Sequence, residues 1–146
     1  MDKKRKLRTY RTFKKELKLE QYLISDINKK GRCLLTKIRS GTNDLRIETG
    51  RWKRPVEKVE QRVCRMCMSR DVENEEHFIL SCVAYQDLRN EMFQNIESQT
   101  NDKYQIKTMS DNQKWQTLMN SDRKPREICE QVKKYIKDPM SRREKL

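Results

Sequence analysis

Three cysteines and the chain's single histidine fall at metal-ligand spacing: Cys64-Arg-Met-Cys67, nine residues, His77, four residues, Cys82. Three thiolates and one imidazole nitrogen are the donor set of a closed, tetrahedral structural zinc site. The chain holds five cysteines, so a scattered set would rarely gather three of them around its one histidine. Other chemistries fit a Cys-x2-Cys pair less well here. A thioredoxin-like redox dithiol wants a strand before the pair and a helix after it. Glu60-Gln-Arg-Val-Cys64 is too polar for a buried strand, and Cys67 runs into the turn-forming Met-Ser-Arg-Asp. A zinc deaminase needs His-x-Glu and a later Pro-Cys-x2-Cys, but His77 is followed by Phe78 and Ile79. Incidental thiols are the bland alternative. The four residues together favour Zn²⁺, structural because no coordination position is left for water.

Such a site makes demands on the elements that carry it. Cys64 and Cys67 can grip an ion from one tight turn. Asn74 is placed to cap a short helix whose first turn holds Glu75 and Glu76, carboxylates that suit the positive end of the helix dipole. His77 lies on that helix, and Cys82, five residues on, would stand about 140° around it at about 100° per residue. The helix must therefore end near Ser81 so that Cys82 can turn back. Three thiolates and a neutral imidazole leave one excess negative charge on a dication, and Arg62, Arg65 and Arg70 are the nearest cations in sequence to offset it and ease thiolate formation.

Around the site the pattern is mainly α. Tyr10, Phe13, Leu17 and Tyr22 to Ile24 predict a helix over 9–24, with Tyr10 and Phe13 in the core. Asp26 can cap a second helix with Ile27, Leu34, Leu35 and Ile38 as its apolar stripe, with Lys29, Lys30, Arg32, Lys37 and Arg39 on the remainder; Gly41 ends it. Residues 42–57 are irregular, broken by Gly50 and Pro55, with Leu45 and Ile47 alternating. After the metal segment, Tyr85, Leu88, Met92, Phe93 and Ile96 mark a helix. A polar connection over 98–108 leads to Ser110-Asp-Asn-Gln113, a capping box that opens a helix with Trp115, Leu118 and Met119 inward. Pro125 suits the first turn of a last helix in which Ile128, Val132, Tyr135 and Ile136 share a face and Lys133, Lys134 and Lys137 lie outside. The expected organisation is a basic disordered arm (1–8), one small helical zinc-binding domain (9–137) and a basic tail (138–146). No internal repeat or low-complexity tract interrupts it.

Composition explains why such a domain needs a metal. Leu, Ile, Val and Phe number 29 of 146 residues, and 39% of the chain is charged. That is the border at which a chain fails to bury enough apolar surface to fold. A structural zinc can contribute about 10–16 kcal/mol of apparent binding free energy, more than a typical domain's whole stability. No apolar run exceeds four residues, which excludes a membrane span and an N-terminal secretory signal. An odd cysteine count without a signal argues for a reducing, intracellular compartment. Cys33 and Cys129 then read as small buried residues beside Leu34 and Ile128.

The net charge of +13 is unevenly spread. Residues 1–20 hold nine Lys/Arg against three acids, 29–54 nine against two and 123–146 nine against four, whereas 55–100 hold five against nine. Basic blocks flanking a mildly acidic centre favour a polyanionic partner, RNA or DNA, since no bulky amphipathic membrane helix is visible. A merely solvated basic surface is the alternative. Candidate phosphate contacts are Lys3, Lys4, Arg5, Lys6, Arg8, Arg11, Lys37, Arg39, Arg51, Lys53 and Arg54. The arm, Asp-Lys-Lys-Arg-Lys-Leu-Arg, equally fits a nuclear localisation signal. Trp52, set between basic residues, could stack on an unpaired base. In a small domain, however, a Trp is more often a core anchor, and that is the expectation.

The runs Leu35-Thr-Lys-Ile-Arg-Ser-Gly, Leu45-Arg-Ile-Glu-Thr-Gly-Arg-Trp52, Arg65-Met-Cys67, Glu75-Glu-His-Phe-Ile-Leu-Ser-Cys82 and Tyr85-Gln-Asp-Leu-Arg89 resemble the C-terminal zinc-binding region of reverse transcriptases from non-long-terminal-repeat retrotransposons. Lys6-Leu-Arg-Thr-Tyr10, Lys114-Trp-Gln-Thr-Leu-Met-Asn120 and Val132-Lys-Lys-Tyr-Ile136 resemble flanking parts of such elements, so the likeness spans nearly the whole chain. Its most specific part is the Cys-x2-Cys, His-x4-Cys frame, which differs from the retroviral zinc knuckle in its longer Cys-to-His spacing. The resemblance implies ligand roles for Cys64, Cys67, His77 and Cys82, and a module that holds template RNA or target DNA during target-primed reverse transcription. The chain lacks the aromatic-Ala-Asp-Asp pair of a polymerase palm and any endonuclease constellation, so no catalysis of its own is expected. The competing readings are a zinc-stabilised scaffold that docks onto a retroelement polymerase or another protein, and a decayed fragment without selected function. A small-molecule substrate is not expected.

Overall fold

A computed structural model gives the fold and describes residues 7–16, 18–24, 28–120 and 124–143. The architecture is helical, with one isolated antiparallel bridge, Val63 to Val72, among the described residues. Seven α-helices are named here: α1 (Tyr10–Phe13), α2 (Gln21–Ile24), α3 (Lys29–Ser40), α4 (Arg46–Thr49), α5 (Gln86–Gln99), α6 (Asp111–Met119) and α7 (Arg126–Arg143). The metal segment lies between α4 and α5.

The long helices form where periodicity and caps agree. In α3 the start is set by Asn28, whose side chain accepts the Gly31 N–H at 2.8 Å; Asp26 and Ile27, expected at that end, lie outside the described residues. Its end is set by Gly41 at φ 73°, with Gly41 N–H on the Ile38 carbonyl and Thr42 N–H on that of Lys37. That double return is the αL closure glycine favours. The capping box at α6 is present in both directions, between Ser110 and Gln113. α7 is the central element: α2, α3, α5 and α6 all pack on it. Ile128, Val132, Tyr135 and Ile136 form its inward face, and they meet Met92, Phe93 and Ile96 of α5 and Leu35 and Ile38 of α3 in one core.

Three expectations are corrected. The helix over 9–24 is two single turns, α1 and α2, because Lys14 and Glu20 between them turn inward and pair at 2.9 Å. Leu17 lies outside the described residues. The segment from 138 is no tail: α7 continues through the buried Pro139 to Arg143. A proline removes one helical hydrogen bond, and the turn beyond it is held by ion pairs of Arg142 with Asp87 (3.1 Å) and of Arg143 with Glu73. Cys33 is exposed; two positions from Leu35 is about 200° around the helix, the far side from the core. Cys129 is buried as expected.

Candidate metal centre

Four ligand atoms converge. Those of Cys64, Cys67, His77 and Cys82 all lie within 4.8 Å of one another, and all four residues are buried. Cys64 Sγ and Cys82 Sγ are 3.8 Å apart, and Cys67 Sγ is 3.4 Å from His77 Nε2. A tetrahedron with metal–sulfur bonds of about 2.3 Å has sulfur–sulfur edges of about 3.8 Å, so these separations fit a small four-coordinate ion. Nε2 faces the thiols, and Nδ1 faces the Asp71 carboxylate at 3.9 Å.

Each ligand is placed by a local device. Cys64 sits on a short antiparallel hairpin closed by Cys64 N–H to the Asp71 carbonyl and Glu73 N–H to the Arg62 carbonyl, each 2.9 Å. Arg70 in its return takes φ 62°, and Ser69 Oγ lies 3.2 Å from Cys67 Sγ. Asn74 caps the following turn by accepting the His77 N–H at 2.8 Å, as its position in the sequence implies. From His77 to Ser81 the turn is π-helical, and Cys82 N–H returns to the His77 carbonyl at 2.8 Å. The wider i→i+5 turn brings residues five apart back to one side. In this way His77 and Cys82 reach one ion despite the 140° that an α-turn would put between them. Arg89 of α5 locks the turn, donating from Nε to the Ile79 carbonyl (2.9 Å) and from Nη2 to that of Cys82 (2.7 Å). Tyr135 of α7 donates its hydroxyl to the Phe78 carbonyl at 2.6 Å.

The electrostatics differ from the expectation. Arg62 spends its guanidinium on backbone, donating to the Ile47 carbonyl (2.9 Å) and to that of Glu57 (2.7 and 3.1 Å). Arg65 and Arg70 are exposed on the hairpin. What stands beside the thiols is a carboxylate, Glu73, 1% exposed, with Oε1 3.6 Å from Cys64 Sγ. Its Oε2 accepts the Arg46 N–H at 2.9 Å and an Arg143 guanidinium N–H at 3.1 Å. Burial pushes the Cys64 thiol up to about 12 and also raises Cys82. At Cys67 burial pulls the same way, but hydrogen bonds from the Ser69 side chain and backbone outweigh it, and this thiol titrates low. Burial holds the His77 imidazole down, in the neutral form that ligates. Glu73 and Arg143 carry no motif, and Arg89 stands in the run Tyr85-Gln-Asp-Leu-Arg89 without a role assigned to it. Glu73 had only the acid-rich run 71–76 to announce it, and Arg143 nothing.

The predicted phosphate contacts separate into groups. Lys3, Lys4, Arg5 and Lys6 lie outside the described residues. Arg8 is drawn inward, bonding the Gly41 carbonyl and the carboxylates of Glu48 (3.0 Å) and Glu75 (2.5 Å). Arg39 is 4% exposed: it pairs with Glu20 at 2.6 Å, and its guanidinium lies over the rings of Phe13 (4.5 Å) and Tyr22 (5.0 Å). Both are taken up within the fold. Arg11, Lys37, Lys53 and Arg54 are exposed and Arg51 half-buried, paired with Glu48 at 2.9 Å. Trp52 is the reverse of a core anchor, 69% exposed. The core's indole is Trp115, which donates to Thr12 Oγ1 at 2.8 Å.

No protein-family model matches the chain, and no curated protein or solved structure is significantly similar to it. Among the described residues, no helix is long and apolar enough to cross a membrane.

Proposed function

We propose that the chain is a zinc-stabilised nucleic-acid-binding module with no polymerase activity of its own, related to the C-terminal region of retrotransposon reverse transcriptases. The donor set supports zinc: three sulfurs and an imidazole, all buried, with their ligand atoms within 4.8 Å of one another. Zinc here would crosslink the hairpin to the turn that leads into α5, and Cys64, Cys67, His77 and Cys82 would hold it.

One observation carries the nucleic-acid reading. The buried acids are spent on internal arginine pairs: Glu20 with Arg39, Glu73 with Arg143, Glu75 with Arg8. With those three carboxylates withdrawn into the fold, exposed Lys and Arg still outnumber exposed Asp and Glu among the described residues. A surface of that kind attracts phosphate chains. The test is a salt titration of RNA and duplex DNA binding. Six phosphate contacts give a log–log slope of about −5 on a duplex, and a flat dependence rejects the reading.

A second reading is favoured by Leu19, Leu23 and Ile24, which are all exposed along the N-terminal segment. Such a cluster suits docking on a protein, and a retroelement polymerase is the partner that the resemblance suggests.

A further inference from the structure

Trp52 is the largest exposed hydrophobic side chain among the described residues. Its Nε1–H donates to Glu48 Oε1 at 3.2 Å, its backbone N–H to the Thr49 carbonyl at 3.2 Å, and the Arg51 guanidinium lies 5.7 Å from the ring centroid. The ring is thus held at one edge while most of its surface meets solvent. A hydrophobic side chain of this size gains nothing from that position in the isolated chain.

The loop beneath it is braced against the metal hairpin. Glu57 N–H returns to the Gly50 carbonyl at 3.1 Å, and Glu57 pairs with Arg46 and with Lys53 (2.9 Å). Arg62, one residue before the bridge of the hairpin, holds the carbonyls of Glu57 and Ile47. Between residues 48 and 58 there are four basic side chains against two acidic ones, and Lys53 and Arg54 next to Trp52 are exposed. Indole surface and positive charge therefore sit together on a loop tied to the metal hairpin. In a duplex the faces of the bases are covered by their neighbours; only an unpaired base offers a face to an indole.

We infer that Trp52 is a stacking platform for an unpaired base of single-stranded nucleic acid, with Lys53 and Arg54 taking the flanking phosphates. This rests on the nucleic-acid reading above and narrows it to single strands.

The experiment compares wild type, Trp52→Ala and Trp52→Phe of the full chain, zinc-loaded, on oligothymidylate, oligouridylate and a mixed-sequence duplex. Stacking predicts that single strands quench the tryptophan fluorescence of the wild type. Trp52→Ala should bind them about 5- to 150-fold more weakly while duplex affinity stays within about twofold. Trp52→Phe should keep most of the single-strand affinity and lose the quench, since the remaining Trp115 is buried. Single-strand affinity indifferent to Trp52, or an equal loss on the duplex, overturns the inference and leaves general nucleic-acid binding standing. Binding of no nucleic acid at low salt overturns both.

Discussion

Arg143, the last described residue of the chain, closes over Glu73 at the edge of the metal centre, with Nη2 and Oε2 3.1 Å apart across 70 residues of sequence. Without metal, the Cys64 thiol can donate to Glu73. A metal-bound thiolate cannot, and repels the carboxylate instead. Arg143 then becomes the charge that allows a buried carboxylate to stand beside three thiolates. Arg143→Ala should destabilise the fold by about 3–5 kcal/mol, the usual consequence of leaving one buried charge unpaired. Adding Glu73→Gln should restore much of the loss, and a double-mutant cycle by thermal unfolding of the zinc-loaded protein reads that coupling. Strictly additive losses would mean that the two residues act independently.

Arg39 joins the N-terminal segment to α3 by the same kind of bond. Its guanidinium pairs with Glu20 and lies between two aromatic rings, and Glu20 also holds Lys14. Arg39→Ala leaves Glu20 with one fewer cation and removes packing against Phe13 and Tyr22. A loss of about 3–5 kcal/mol is expected in chemical denaturation. Arg39→Lys should recover only part, since an ammonium lacks the plane that stacks on the rings. Nucleic-acid affinity of the folded variants should stay near wild type, because this side chain does not reach the surface.

The metal ligands were legible because coordination chemistry writes itself as spacing, and the inward faces of α3, α5, α6 and α7 because periodicity does. What stayed hidden has a common cause. Arg39 follows Leu35 by four positions and so lies on the apolar stripe, but its charge argued for the surface; only Glu20, 19 residues earlier, makes burial tolerable. The reverse holds for Trp52. Its bulk argued for the core, while a loop between Gly50 and Pro55 carries it outward and Trp115 fills the interior place. The π-turn depends on backbone bonding that no residue pattern displays. Long-range pairs such as Glu73 with Arg143 leave no local trace at all.

Gly50 tests how tightly the Trp52 loop is seated. A Cβ built there would meet Arg62 Cγ at 2.6 Å, Arg62 Cδ at 2.8 Å and Glu57 Oε2 at 2.8 Å. Arg62 cannot step aside cheaply, since its guanidinium is fixed on the Ile47 and Glu57 carbonyls. Gly50→Ala should therefore cost about 1–3 kcal/mol, as overpacking does, although its backbone is in the ordinary right-handed region. Urea unfolding measures the loss. An unchanged midpoint would show that the loop floats free of the hairpin.

The five thiols offer a count that checks the metal centre directly. Cys33 is exposed, and Cys129 is buried with its thiol pushed up to about 11 by that burial. If Cys64, Cys67 and Cys82 are bound to zinc, a thiol reagent under native conditions should modify Cys33 quickly, leave Cys129 slow and spare the other three. Elemental analysis should find one zinc per chain. A strong chelator should then release three further thiols, together with loss of helical circular dichroism, because apparent zinc binding of about 10–16 kcal/mol exceeds the stability of a typical small domain. Cys82→Ser should reproduce the chelated state, since it removes the ligand that ties the π-turn to the hairpin. Cys33→Ser should remove only the fast reaction. Rapid labelling of several thiols before chelation, with the helices unaffected by the chelator, would show that the four residues converge without a metal and that the fold stands on its core alone.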